Sequence, residues 1–388
     1  MTRSSLQEYA AAVRPRYKAA GKAEKGKILD EFCRTTGMHR KAAVRLLNRE
    51  TRVPASRRGR RKRYRQEALE ALVQVWQVSD RLCGKLLKPV LPELLQALER
   101  HGELSISEEV RDQLLQISAA SIDRLLRIHK RAVLRQPHRK RAPASSLKSQ
   151  VPIRTWSEWS GVAPGSLQAD LVLHCGESSE GFFLATLCTV DVATGWTELQ
   201  PVWGLGKQRV STAVHLVRQR LPFQLKTLHT DNGSEFINHT LFAWCFREEI
   251  EFTRGRPYRK NDQAYVEQRN YLAVRRLLGN DRLSSQAAYA LLKRLYALLR
   301  LQQNFLRPVR KLVSKQRMGA RVVKRYDRPR TPYQRLLESG CLDSEVRLDL
   351  ERVHQLLNPA ELQRRITDLL RMLWRLGQQE RRIGGSLG

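Results

Sequence analysis

The chain has 388 residues, 41% of them hydrophobic, enough for two or three domains with cores of their own; a disordered or fibrous chain is excluded. Lys and Arg number 71 against 38 Asp and Glu, a net charge of +33 that repels itself in a compact fold unless a polyanion cancels it. There is no 18-residue apolar run, no basic amphipathic segment standing alone and no apolar leader in residues 1–21, so no membrane association is expected. Nucleic acid is the expected partner, and the cytoplasm the expected compartment.

Residues 1–130 read as helical. Glu24 to Phe32 is a short amphipathic helix, Thr35-Thr36-Gly37-Met38 a turn, and His39 to Asn48 a second helix with apolar Ala42, Ala43, Leu46 and Leu47. Gly37 supplies the positive φ that a tight interhelical turn needs. The pattern is that of a helix-turn-helix, with Arg40, Lys41 and Arg45 as candidate DNA contacts, although a plain helical hairpin looks the same. A second such pattern runs Glu108–Ile117, a Ser-Ala-Ala-Ser turn, then Ile122–His129, with Arg124 as its candidate contact.

Between the two lies Arg57–Arg65, with seven basic residues in nine and no acid. A run this dense stays extended. Its Arg-Gly-Arg core resembles a minor-groove AT-hook, but Arg61 stands where that motif has Pro, so a plain phosphate-binding arm remains open. Arg57, Arg58, Arg60, Arg61, Lys62 and Arg63 are its candidate contacts. Residues 131–165 read as a basic linker along DNA, with Arg139, Lys140 and Arg141 as further contacts. The six cysteines (Cys33, Cys83, Cys175, Cys188, Cys245 and Cys341) are scattered without a CxxC pair, which predicts reduced, mostly buried thiols and no structural zinc.

From Ser166 the pattern becomes stranded: Ser166–Cys175, Gly181–Thr194 and Thr197–Trp203 as strands, Gln208–Arg220 as helix, and Leu225–His229 as a buried strand. Asn238–Glu249 follows as helix, Glu251–Arg254 as strand and Gln263–Leu278 as helix. The order βββαβαβα predicts an α/β layer architecture over residues 166–282. Residues 283–388 return to helix. They are interrupted by a basic stretch, Arg300–Arg330, in which Arg321–Arg325 reads as a short strand. The apolar stripe Leu362, Ile366, Leu369, Leu370 and Leu373 suits packing on the chain's own domain or on another subunit.

Three acids carry the chemistry. In His229-Thr230-Asp231-Asn232-Gly233-Ser234-Glu235-Phe236 an apolar strand ends at Asp231 before an Asn-Gly turn, and strand ends of open α/β sheets are where ligands bind. Thirty-five residues lie between Asp231 and Glu267, which sits at the border of a helical stripe formed by Val266, Val274 and Leu277. Asp170 lies among Leu167, Ala169, Leu171 and Val172, where a carboxylate is costly unless paired, and a metal ion would suffice. Glu235, Asp191 and His174 read as structural residues.

Asp on the first strand, Asp after the fourth, then 35 residues and Glu on a helix resembles the D,D-35-E signature of retroviral-integrase-like insertion-sequence transposases. "TDNGSEF" and "KNDQAYVEQRN" are similar to the matching blocks of that group. The resemblance covers about residues 165–280 and more loosely Arg325–Leu337; the group's zinc module is missing. It implies an RNase H-like core with a mixed five-stranded sheet, preceded by an all-α helix-turn-helix region and followed by a basic, mostly helical one. It further implies two Mg²⁺ ions (Mn²⁺ as substitute) on Asp170, Asp231 and Glu267, cleavage at element ends, and strand transfer into target double-stranded DNA by a homo-oligomer at the bacterial nucleoid. Lys260, Asn261, Arg269 and Asn270 are candidates to hold the DNA backbone or orient Glu267. A nuclease that never joins, or an inactive DNA-binding regulator, fits the same residues.

Overall fold

A computed structural model of the protein describes residues 2–49, 64–130, 161–256, 263–319 and 321–385. The chain divides into two compact units between Arg63 and Tyr64. The first unit holds α1 (Arg3–Ala19), α2 (Lys22–Thr36) and α3 (Arg40–Asn48) around Ala10, Tyr17, Ile28, Phe32, Ala43 and Leu47. Gly37, at φ 72°, ends α2 by donating its N–H to the Cys33 carbonyl, and the His39 ring caps α3 by accepting from the Lys41 N–H. The expected turn and second helix are present. A third helix, α1, packs across them.

The second unit opens with α4 (Gln66–Val78), α5 (Gly84–Arg100), α6 (Glu108–Gln116), α7 (Ala119–Leu125) and α8 (Arg127–Lys130). These bury Leu72, Trp76, Leu87, Leu91, Leu95, Leu114 and Ile122 together. The Ser-Ala-Ala-Ser segment is a helix start and not a turn, because Ser118 caps α7 by accepting from the Ser121 N–H. α7 sits tightly on the start of α5: the Gly84 N–H donates to Asp123 Oδ1 at 2.9 Å, and a Cβ on Gly84 would lie 2.1 Å from the Ala119 carbonyl oxygen.

Ion pairs tie this bundle to the rest of the unit. Asp80 accepts from Arg307 at 2.6 Å and also pairs with Arg276, while Glu103 accepts from Arg364 at 2.7 Å. The helices from α4 onward therefore belong with the α/β core, whereas residues 1–130 were expected to form one region. Of these pairs Asp80–Arg307 is shielded on both sides, so removing either partner would leave the other charge uncompensated.

The core sheet contains β1 (Ser166–Leu173), β2 (Ala185–Asp191), β3 (Thr197–Val202), β4 (Thr227–Thr230) and β5 (Glu251–Arg254) in the order β3-β2-β1-β4-β5. β2 alone runs antiparallel to its neighbours. With helices on both faces this is the RNase H-like fold. α9 (Lys207–Arg220) and α10 (His239–Arg247) cover one face over Leu167, Ala169, Leu187 and Leu228.

The other face takes α11 (Ala264–Arg269), a π-helical turn (Asn270–Arg275), α12 (Arg276–Leu278), α13 (Gln286–Leu301) and a second π-turn (Gln302–Leu306). The wide first turn retards the phase of the helix, so Leu278, and not Leu277, joins Val266 and Val274 as a fully buried residue. Beyond come a hairpin of β6 (Leu312–Met318) and β7 (Arg321–Tyr326), then α14 (Pro332–Glu338), α15 (Ser344–Leu356) and α16 (Pro359–Gly385). Leu362, Ile366, Leu369, Leu370 and Leu373 of α16 share one core with α13, Val172 and Cys188, so the terminal stripe packs on its own domain. Residues after 282 thus complete the sheet's second layer.

All six cysteines are free, but Cys83 and Cys341 are exposed, against the expectation of mostly buried thiols. Among the described residues no helix is long and apolar enough to cross a membrane.

Candidate active site at the strand ends

The parallel pairing of β1 with β4 sets Ala169 opposite Thr230, so the next residues, Asp170 within β1 and Asp231 just past the end of β4, come side by side. Asp170 is partly buried. Its carboxylate accepts from the Leu171 N–H at 2.8 Å and from the Asn270 amide at 2.6 Å. Asn270 follows Glu267 by three residues, one helical turn, which places both on the same side of the helix. The Val266 N–H donates to Gln168 Oε1 at 3.2 Å and fastens that helix to β1 two residues before Asp170.

Asp231 accepts from the Gly233 N–H at 2.9 Å in an Asx turn. The turn is held to β5 by Asn232, which donates to the Gly255 carbonyl at 2.9 Å and accepts from Arg254 at 3.0 Å. Sequence reasoning missed Gln168, Asn232 and Arg254 as positioning groups. A polar Gln168 two residues from Asp170 in an apolar strand was the available signal.

Burial, then the negative charge of Asp231 and more weakly that of Glu267, pushes the Asp170 pKa up to about 7, against the pull of its two hydrogen bonds. Glu267 is exposed. Among the described residues no three His, Cys, Asp or Glu side chains stand close enough to hold a metal ion as they are. The fold thus abuts two aspartates and brings the glutamate into electrostatic range without closing the three into a ligand cage. The donor set is all carboxylate oxygen, and it repels itself. Both properties suit a hard divalent cation, whose charge would offset the repulsion among the acids.

Arg269 corrects an expectation. It is 4% exposed and donates to Gln303 Oε1 and to the Gly195 carbonyl, each at 3.3 Å, so it braces the helix against the β2–β3 turn and does not reach DNA. Burial lowers its pKa to about 10. Asn270 orients Asp170, where Glu267 or the DNA backbone was expected.

Asp191 is fully buried, with one oxygen accepting from the Gly165 and Ser166 N–H groups and the other from the Thr194 N–H and hydroxyl. His174 is buried against the Thr186 hydroxyl at 2.7 Å, and burial lowers its pKa to about 3. Both are structural, as read from the sequence. Glu235 lies beside its own turn, close to Gly233.

Arg40, Lys41 and Arg45 are exposed along α3, with Arg40 paired to Asp30. Arg124 is exposed on α7 and touches Ser121. Arg57, Arg58, Arg60, Arg61, Lys62, Arg63, Arg139, Lys140, Arg141, Lys260 and Asn261 lie outside the described residues.

No protein-family model matches the chain. It is 47% identical over 341 residues to the "Uncharacterized protein y4rM" of Sinorhizobium fredii (strain NBRC 101917 / NGR234), a match spanning 88% of this chain and 95% of that one. A 93-residue segment, 24% of this chain, is 32% identical to 8% of the Pro-Pol polyprotein of feline foamy virus. Among solved structures, the catalytic core domain of BIV integrase covers 45% of this chain and 95% of its own at 23% identity and a TM-score of 0.30.

Proposed function

The chain belongs to the same family as the rhizobial protein y4rM, and from Asp170 on β1, Asp231 after β4 and Glu267 on α11 we propose that it is a DDE-type transposase that cuts DNA at element ends and joins it to a target. The observation that carries this is the abutment of Asp170 and Asp231, with Asn270 on the Glu267 helix bonded to Asp170. In our reading Asp170, Asp231 and Glu267 would together hold two Mg²⁺ ions through their carboxylate oxygens.

Two such ions, when bound, would activate the attacking oxygen and stabilise the leaving one. The chain's own groups supply position. Asn270 and the Leu171 N–H aim the Asp170 carboxylate, and the Asx turn aims Asp231. The Val266–Gln168 bond keeps the Glu267 helix in register with β1. Glu267, exposed on the same helix, would complete the ligand set. No Ser, Tyr or Cys nucleophile is required, so no covalent protein–DNA intermediate forms.

Double-stranded DNA is the substrate, and the exposed α3 cations Arg40, Lys41 and Arg45 contact it. The test uses the full chain, Mg²⁺ and a duplex carrying the element end with labelled strands. Asp170→Asn, Asp231→Asn and Glu267→Gln should each abolish cutting and joining while end binding persists, and Mn²⁺ should restore part of the activity. Near-normal cutting by any of the three refutes the ligand assignment. Cutting without joined products reduces the reading to a nuclease.

A further inference from the structure

The stretch Arg300–Arg330 carries eleven Lys or Arg and one acid, Asp327. Its flanking cations are engaged: Arg300 bonds buried Glu198, Arg307 bonds Asp80, and Arg330 pairs with Glu338. The hairpin of β6 and β7 is different. Lys315, Arg317, Arg321, Lys324 and Arg325 project from it into solvent and have no acidic partner among the described residues. Lys315 and Lys324 stand directly opposite each other across the ladder, a like-charge pairing that destabilises a sheet.

Both faces of the ribbon are open, with Val313 69% and Met318 67% exposed, although a two-stranded hairpin without a covered face is marginal alone. It is held at its base. Lys311 and Asp327 exchange hydrogen bonds with each other, and Asp327 also pairs with Arg335 at 2.7 Å. The Lys311 ammonium reaches the Ala193 carbonyl in the β2–β3 turn. A ribbon fixed at its root to the catalytic sheet, charged throughout and covered on neither side, matches a groove with negative walls.

We infer that the β6–β7 hairpin is a second DNA-binding element, a ribbon whose five cations engage the phosphates of duplex DNA at a groove. A two-stranded ribbon fits the major groove, and cations on both of its faces reach both walls. The inference rests on DNA being the substrate of the core, and it adds a contact that the α3 helix does not provide.

The test measures how Kd for a random-sequence duplex depends on salt, for the full-length protein. The variant replaces Lys315, Arg317, Arg321, Lys324 and Arg325 with Gln; the exposed side chains leave the core unchanged. If three of the five touch phosphates, the log–log salt slope falls by about 2.7 in magnitude, and the wild-type advantage shrinks about forty-fold between 50 and 200 mM salt. A control replacing Arg347, Arg352, Arg365 and Arg371, which pair with neighbouring acids on α15 and α16, should shift the slope by less than about 0.9.

An unchanged slope in the hairpin variant, or an equal change in the control, overturns the inference. So does an equal loss on single-stranded DNA, which has no groove. Failure of the transposase reading is separately visible: a wild-type protein that binds with the full slope but never cuts in Mg²⁺ refutes that reading and leaves the ribbon in place.

Discussion

Replacing Asp170 with Asn should abolish cleavage and at the same time make the cation-free protein more stable. The carboxylate makes two hydrogen bonds, and an amide in its place can keep both. Its oxygen accepts from the Leu171 N–H, and its NH₂ donates to Asn270 if that side chain turns over, which would use the buried Asn270 Oδ1 that has no partner. What is lost is a negative charge that burial, Asp231 and Glu267 all disfavour. A rise from 3.8 to about 7 sets a ceiling of about 4 kcal/mol on the gain. The coupling of the three acids and the weaker neutral hydrogen bonds cut this to about 1–2 kcal/mol.

In EDTA at pH 8 the melting temperature of Asp170→Asn should therefore exceed wild type by roughly 1.5–3 °C. The sign follows from the raised pKa: the cost of the ionised acid is fully present above about 7 and disappears as pH falls toward the ordinary value, so the gain should shrink at pH 5. Saturating Mg²⁺ should reverse the order by stabilising the wild type alone. A variant less stable than wild type in EDTA at pH 8, or equally stabilised by Mg²⁺, refutes the picture of a self-repelling acid cluster.

The same exchange at Asp191 should have the opposite effect. Four donors converge on its two oxygens, so the amide of Asp191→Asn turns its own N–H groups toward at least one of them and costs about 2–4 kcal/mol, read as a lower Tm in denaturation scans. A Tm within 1 °C or so of wild type would remove Asp191 from the structural residues. His174, neutral in the fold with a pKa near 3, contributes stability that is complete above its ordinary value of 6.5 and is lost as pH falls through that window. His174→Gln keeps a bond to Thr186 without titrating, and should flatten the acid limb of the stability curve by up to about 1.4 kcal/mol per pH unit. Parallel acid limbs in the two proteins would show that His174 takes up no proton on unfolding.

Much of the catalytic unit was legible from residue order because local patterns report local structure. Alternating apolar residues in Ser166–Leu173, the Asp-Asn-Gly turn and the 35-residue interval to Glu267 need no tertiary knowledge, nor does the positive φ at Gly37. Even α1 left a signal that went unread, with Leu6, Ala10, Val13 and Tyr17 at helical spacing. Periodicity marks which face is apolar but not what that face meets. Only the parallel pairing of β1 with β4 sets Asp170 beside Asp231, across some sixty residues of chain. Arg269 reads as a surface cation until Gln303 and the Gly195 carbonyl are found waiting for it inside. The α4–α7 helices read as part of an amino-terminal module until Asp80 and Glu103 meet arginines more than 190 residues away. Long-range ion pairs and buried guanidinium bonds have no local pattern, because their partners are chosen by how layers stack and not by what lies nearby in the chain.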